Sequence, residues 1–225
     1  MEVSGLYALR APEILDDDLS STIEHLCATE PLKSVLEIGA SSGEGSTVAL
    51  VRGLRKNPNA VRLYCMEVSL ARFEALAKRY AEVPFVRAYN LSSVRSSRLL
   101  TPQEVADFSG AEEKNVVHFE LEDMLDWRRN DVQYVAGTAL DVDGILQIKA
   151  ENGIDDFDLV LIDGSAFAAG AELEDCYGAR WLLLDDVRVI KNWANRNRLL
   201  KDDHYELYEE NLELRNGYSV FRRRD

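Results

Sequence analysis

The chain has 225 residues, 46% hydrophobic and 29% charged, a balance that suits one globular domain of α/β size. Its net charge of −14 opposes nucleic-acid backbones, and no apolar run approaches the roughly 18 residues of a membrane span. Residues 1–10 lack a basic segment followed by an apolar one, so no signal peptide and a cytoplasmic location are expected; Cys27, Cys65 and Cys176 are too few and too scattered for a disulfide frame or a zinc site.

Asp16, Asp17 and Asp18 open a predicted amphipathic helix over 16–30, with Leu19, Ile23, Leu26 and Cys27 on one face. Pro31 ends it, and VLEI at 35–38 is the first predicted strand. A glycine-bearing loop leads into a helix with Thr47, Leu50, Val51 and Leu54 at i, i+3, i+4 and i+7. After a turn at 57–60 comes a second strand ending at Glu67. Then come a helix carrying Phe73, Leu76, Ala77 and Tyr80, and a third strand within 83–90.

Between residues 91 and 156 the alternation breaks, over a stretch longer than one crossover needs. Thr101-Pro102-Gln103-Glu104 has the form of a capped helix start, and further helical segments fall around 121–135 and 144–151. Residues 91–156 are therefore expected to form a helical insertion, either a cap over a site or extra packing on the flank. FDLVLIDGS (157–165) holds the fourth strand, apolar on both faces as in a central parallel strand. A short helix over 170–179, a fifth strand in RWLLLDDV (180–187) and a helix over 188–202 follow. Segments 204–211 and 217–224 are expected to pair around an Asn216-Gly217 turn. The order predicts a single α/β domain over 1–225, with an open, mostly parallel sheet of seven strands closed by an antiparallel C-terminal pair.

Ligands of such sheets lie at the carboxyl ends of the strands. Three ends carry informative residues: the loop Gly39-x3-Gly43-x-Gly45, Glu67, and Asp163 after the fourth strand. Glycines admit close backbone approach, a helix N-terminus offers free N–H groups, and a carboxylate after the second strand can accept both hydroxyls of a ribose. The spacing departs from the dinucleotide fingerprint G-x-G-x-x-G. Glu37, just before the loop, is badly placed beside a pyrophosphate and well placed beside a cationic ligand.

With these residues the chain resembles the class I S-adenosylmethionine-dependent methyltransferases, from about residue 35 to 224. The resemblance implies a Rossmann-like methyltransferase fold with S-adenosylmethionine as cofactor. Gly39, Ser41, Gly43 and Ser46 would line its methionine end with Glu37 beside them, Glu67 would hold the ribose, and Asn90 would flank the adenine. Asp163 and Ser165 would complete the cofactor site. LVLIDGSAF and LLLDDV are similar to the macrocin and catechol type of O-methyltransferase, which implies a magnesium ion on Asp163, Asp185 and Asp186. The alternative is that Asp185 and Asp186 cap the helix that follows.

Where those families place a basic group three residues after the first metal aspartate, this chain has Ala166. The remaining candidates for a catalytic base are Asp163, Asp186 and Lys191, the last if burial depresses its pKa. Arg188, Lys191, Arg196, Arg198 and Lys201 form a basic run that could meet an anionic acceptor or be a solvated face. His118 alone of the three histidines could reach the site from the insertion, and Trp127, Trp181 and Trp193 are expected to be packing. The expected partner is a small oxygen acceptor, without nucleic acid or membrane and with a homo-oligomer left open. Two rivals stand: a methyltransferase-fold module that binds cofactor without catalysis, and a nucleotide-dependent enzyme on a Rossmann sheet.

Overall fold

The computed structural model describes residue 9, residues 11–110 and residues 116–224. The leader reading of residues 1–10 thus lies, apart from Leu9, outside the described residues, as do residues 111–115 of the insertion. The first half alternates regularly: α1 (Asp18–Thr29), β1 (Ser34–Ile38), α2 (Ser46–Leu54), β2 (Arg62–Met66), α3 (Leu70–Arg79) and β3 (Val86–Tyr89). The insertion carries α4 (Pro102–Ser109), α5 (Leu121–Ala136) and α6 (Gly144–Asn152). Then come β4 (Leu159–Ile162), α7 (Ala169–Cys176), β5 (Trp181–Asp185), α8 (Trp193–Leu199), β6 (Tyr205–Asn211) and β7 (Tyr218–Arg223). No described helix is long and apolar enough to cross a membrane.

The seven strands form one sheet in the order β3-β2-β1-β4-β5-β7-β6. Neighbours from β3 through β5 are parallel, and β7 runs antiparallel to both β5 and β6, so β7 alone is reversed. Side chains alternate across the sheet with the period of two that strands impose. Leu36, Ile38, Val160, Ile162, Leu182 and Leu184 face a core closed by α4 to α8. Val35, Leu63, Leu159, Leu161, Trp181 and Leu183 face the other, closed by α1, α2 and Leu76 of α3.

Local signals explain the helix starts. Asp17 accepts from the Ser20 backbone N–H at the head of α1, and Thr101 and Glu104 complete a reciprocal capping box on α4. The helix expected over 188–202 is corrected: regular helix begins only at Trp193. Asp186 sits at φ +59, and Val189 N–H closes a turn on the Asp186 carbonyl. The Asn192 amide, fully buried, donates to the carbonyls of Ile162 and Asp185 at 3.0 and 2.7 Å. These bonds hold 187–192 as a turn against the ends of β4 and β5.

Candidate functional site

The strand order reverses between β1 and β4, where open α/β sheets form their binding crevice. Gly39 leaves β1 at φ +87, and a Cβ there would lie 2.2 Å from the Asp163 carbonyl oxygen. At Gly43, φ +75, a Cβ would meet the Tyr80 ring at 2.6 Å. These two glycines therefore admit close contact between parts of the chain itself; the sequence suggested contact with a ligand.

Glu37 is placed differently from expectation. Its side chain has no exposed surface and accepts from Ser46 Oγ at 2.6 Å and Thr47 Oγ1 at 2.8 Å. Burial pushes its pKa up against the pull of these two hydroxyls. Glu37 and Ser46 thus tie the head of α2 to β1 beneath the loop, because Glu37 shares the parity of Val35 and points to the α2 face.

Glu67 and Asn90 come together beside the loop. Glu67 accepts from the backbone N–H groups of Ser41 and Ser69 at 2.9 and 2.7 Å, and Asn90 Nδ2 donates to the Glu67 carbonyl at 2.8 Å. Ser41 is a non-glycine residue at φ +50, held there by its bond to Glu67. The Ser69 hydroxyl beside them is buried without a hydrogen-bond partner among the described residues. A cavity of about 190 Å³ between α1 and α2 touches Gly45 but shares no lining residue with this group.

Asp163, Asp185 and Asp186 converge, with one oxygen of each within 4.8 Å of the others. Lys191 Nζ lies among them, 2.6 Å from Asp163 Oδ1 and 2.7 Å from Asp186 Oδ2, its side chain 10% exposed. Arg215 donates to Asp185 Oδ1 at 2.9 Å and Asn216 to Asp186 Oδ1 at 3.0 Å. Hard cations bind through carboxylate oxygens, and these donors already use both oxygens of Asp186 and one each of Asp163 and Asp185, with the Lys191 ammonium standing between Asp163 and Asp186. A magnesium ion does not fit the cluster with Lys191 in place.

The same geometry corrects the idea of Lys191 as a base with a lowered pKa. Burial pulls its pKa down, but Asp163, Asp186 and Asp185 outweigh that and hold it above the usual lysine value. Burial also lifts the carboxylates. For Asp186 the Lys191 ammonium wins and the pKa is lowered, whereas Asp163 is pushed up to about 7. Two neighbouring carboxyls driven apart in this way can take different roles.

The insertion reaches the loops that follow β2, β4 and β5. Asp131 on α5 accepts from Ser165 Oγ at 2.6 Å, and Tyr134 OH lies 3.3 Å from Leu70 N. Val117 N–H donates to the Arg188 carbonyl. Ser165 is therefore engaged by α5. Most of the basic run is engaged as well. Arg196 makes a paired bond to Glu210 at 2.7 and 2.8 Å, Arg198 lies over the Tyr177 ring, Arg188 donates to the Leu212 carbonyl, and Lys201 is exposed. His118 is exposed beside Phe108. Trp181 is buried and Trp193 packs edge-on against Phe108, but Trp127 is exposed against Phe119.

Sequence reasoning missed Glu172. It is fully buried, accepts from Ser93 Oγ at 2.5 Å, and its Oε2 has no partner among the described residues. Its signal was a charge inside the helical stripe Ala169, Leu173 and Cys176. Burial raises its pKa from 4.5 to about 7, partly offset by Ser93. Because the folded value lies above the unfolded one, the folded chain keeps a proton that the unfolded chain has released. Stability should fall as pH rises from about 4.5 to about 7, by about 3 kcal/mol from this group. Glu172→Gln should therefore gain on the parent between pH 5 and pH 8 in urea denaturation, by roughly that amount. An equal difference at both pH values would refute this.

No known family model matches the chain, and no curated protein matches it in sequence. Solved structures do. An O-methyltransferase from Bacillus cereus in complex with SAH superposes over 95% of this chain and 84% of its own, with TM-score 0.58 and 14% identity. The O-methyltransferase TomG from Streptomyces achromogenes, involved in tomaymycin synthesis and complexed with SAM, covers 95% of this chain and 82% of its own (TM-score 0.54, 13% identity). A methyltransferase from Geobacter sulfurreducens covers 94% and 82%, at TM-score 0.54 and 11% identity. At these identities the likeness is one of fold: the chain has the Rossmann-like fold of class I methyltransferases.

Proposed function

We propose that this chain, built on the methyltransferase fold, moves a methyl group from S-adenosylmethionine to an oxygen of a small-molecule acceptor. The observation that carries the reading is the meeting of the Gly39 turn, Glu67 and Asp163 at the sheet's switch point. Solved structures of the same fold that hold SAH or SAM support the choice of cofactor. In the reaction an oxygen lone pair forms the new O–C bond while the C–S bond breaks and its electrons pass to sulfur. The protein's first task is alignment, which can be worth several powers of ten. Its second is to receive the acceptor's proton. Asp163 suits that role because its pKa lies near neutrality, where a base is most effective. Asp186 and Lys191, both charged, hold it in place. α5, bonded to the loops after β2 and β4, would close the acceptor pocket. An anionic acceptor would have to compete with the carboxylates around Lys191 and with Glu210 at Arg196.

Calorimetric titration with S-adenosylhomocysteine, NAD and a nucleotide sugar, compared side by side, tests the reading. Binding of the first alone is expected, and preference for either of the others would transfer the case to a nucleotide-dependent enzyme. Glu67→Ala should weaken S-adenosylhomocysteine binding by about 1–3 kcal/mol, the scale for charge-assisted hydrogen bonds. Unchanged affinity would remove Glu67 from the ribose.

A second reading, cofactor binding without catalysis, is favoured by Ala166. That position packs its methyl group against the core and cannot accept a proton. Tight cofactor binding with no turnover across a broad acceptor panel would select it.

A further inference from the structure

We propose that Lys191 is the resident cation of the carboxylate cluster, with its ammonium standing where a divalent ion would bridge Asp163 and Asp186, so that the site works without metal. Nζ is within hydrogen-bond distance of one oxygen from each of these residues, at 2.6 and 2.7 Å. The lysine is not a surface side chain that has folded inward. It sits on the turn between β5 and α8, and its neighbour Asn192 pins that turn to the carbonyls of Ile162 and Asp185. Its place is therefore set by backbone contacts as well as by charge.

The charges balance in the same way. Three carboxylates face two fixed cations, Lys191 and Arg215, and Asn216 occupies a further oxygen. A divalent ion would leave three carboxylates with the same net charge that Lys191 and Arg215 together leave. Adding one to the cluster would set it against an ammonium already at contact distance from Asp163 and Asp186. An ammonium has three donors. Two are used among the described residues, and the third would meet an acceptor oxygen, a role that rests on the methyl-transfer reading. The exclusion of metal rests on the cluster's geometry alone, so failure to bind S-adenosylhomocysteine would refute the function and leave the metal test intact.

The test is manganese binding followed by the electron paramagnetic resonance of free Mn²⁺. The parent protein should take up no Mn²⁺ at the cluster. Lys191→Ala should bind one Mn²⁺ per chain at least about tenfold more tightly than the parent, since freed carboxylates make an oxygen site. Adding Asp163→Asn to that variant should abolish the gain, which separates the cluster from weak binding elsewhere on an acidic surface. One Mn²⁺ per parent chain, lost in Asp163→Asn, would overturn the proposal. So would a folded Lys191→Ala protein that gains nothing. If Lys191→Ala does not fold, Lys191→Met is read by the same criteria, and the parent measurement decides independently.

Discussion

Gly39→Ala is expected to cost about 4 kcal/mol of folding free energy, among the largest effects of any single substitution in this chain. Two penalties combine. The residue must hold φ +87, where a Cβ is strained, and that Cβ would lie 2.2 Å from the Asp163 carbonyl oxygen and 2.9 Å from Gly164 Cα. Both obstacles are backbone, so no rotamer change can relieve them. The ends of β1 and β4 would have to separate, and Asp163 would move with them. Gly153→Ala is the control. Gly153 sits at φ +63 at the end of α6 with nothing within 4 Å of its would-be Cβ. It should lose only about 1 kcal/mol, the cost of the left-handed backbone. Urea denaturation of the two variants separates strain from collision, and equal losses would show that the close approach of the strands contributes nothing.

The second large effect is on turnover. Asp163→Asn keeps an oxygen for Lys191 but cannot accept a proton, so on the proposed mechanism the rate should fall about 10²–10⁴-fold, the usual worth of a positioned base. The parent rate should rise with pH through about 7, as Asp163 ionises, and level off above it. The residual rate of the variant should lack that rise. Adding Ala166→His to the Asn variant should recover part of the loss, because it returns a titrating group to the edge of the site. Initial rates across the neutral range at saturating S-adenosylmethionine test the fall, the pH dependence and the recovery. An Asn variant as fast as the parent would exclude Asp163 as the base.

Much of this molecule is written in short-range pattern. The Thr101–Glu104 capping box, the acidic head of α1, the apolar spacing of Leu50, Val51 and Leu54, and the apolar run of β4 each act within a few residues. Element order and the mostly parallel seven-stranded sheet could therefore be read directly. The helix expected over 188–202 failed because its first turn is decided by distant partners: Asn192 bonds carbonyls of two strands and leaves the helix to start at Trp193.

The sequence by itself determined the fold class and where along the chain the polar groups of the cleft would occur. Only the tertiary structure decided what those groups do to one another. Glu37 belongs to the loop motif, yet strand parity turns it beneath α2, where Ser46 and Thr47 enclose it. Gly39 belongs to the same motif, yet its missing side chain makes room for Asp163, far along the sequence. Lys191 lies in an unremarkable basic run, and the turn before α8 carries it between two carboxylates, changing a possible base into a fixed cation. The physical reason is one of range. Helix caps and hydrophobic periodicity are fixed by neighbours in sequence, whereas desolvation and ion pairing depend on which distant groups share a few ångströms, and that is decided only when the sheet assembles.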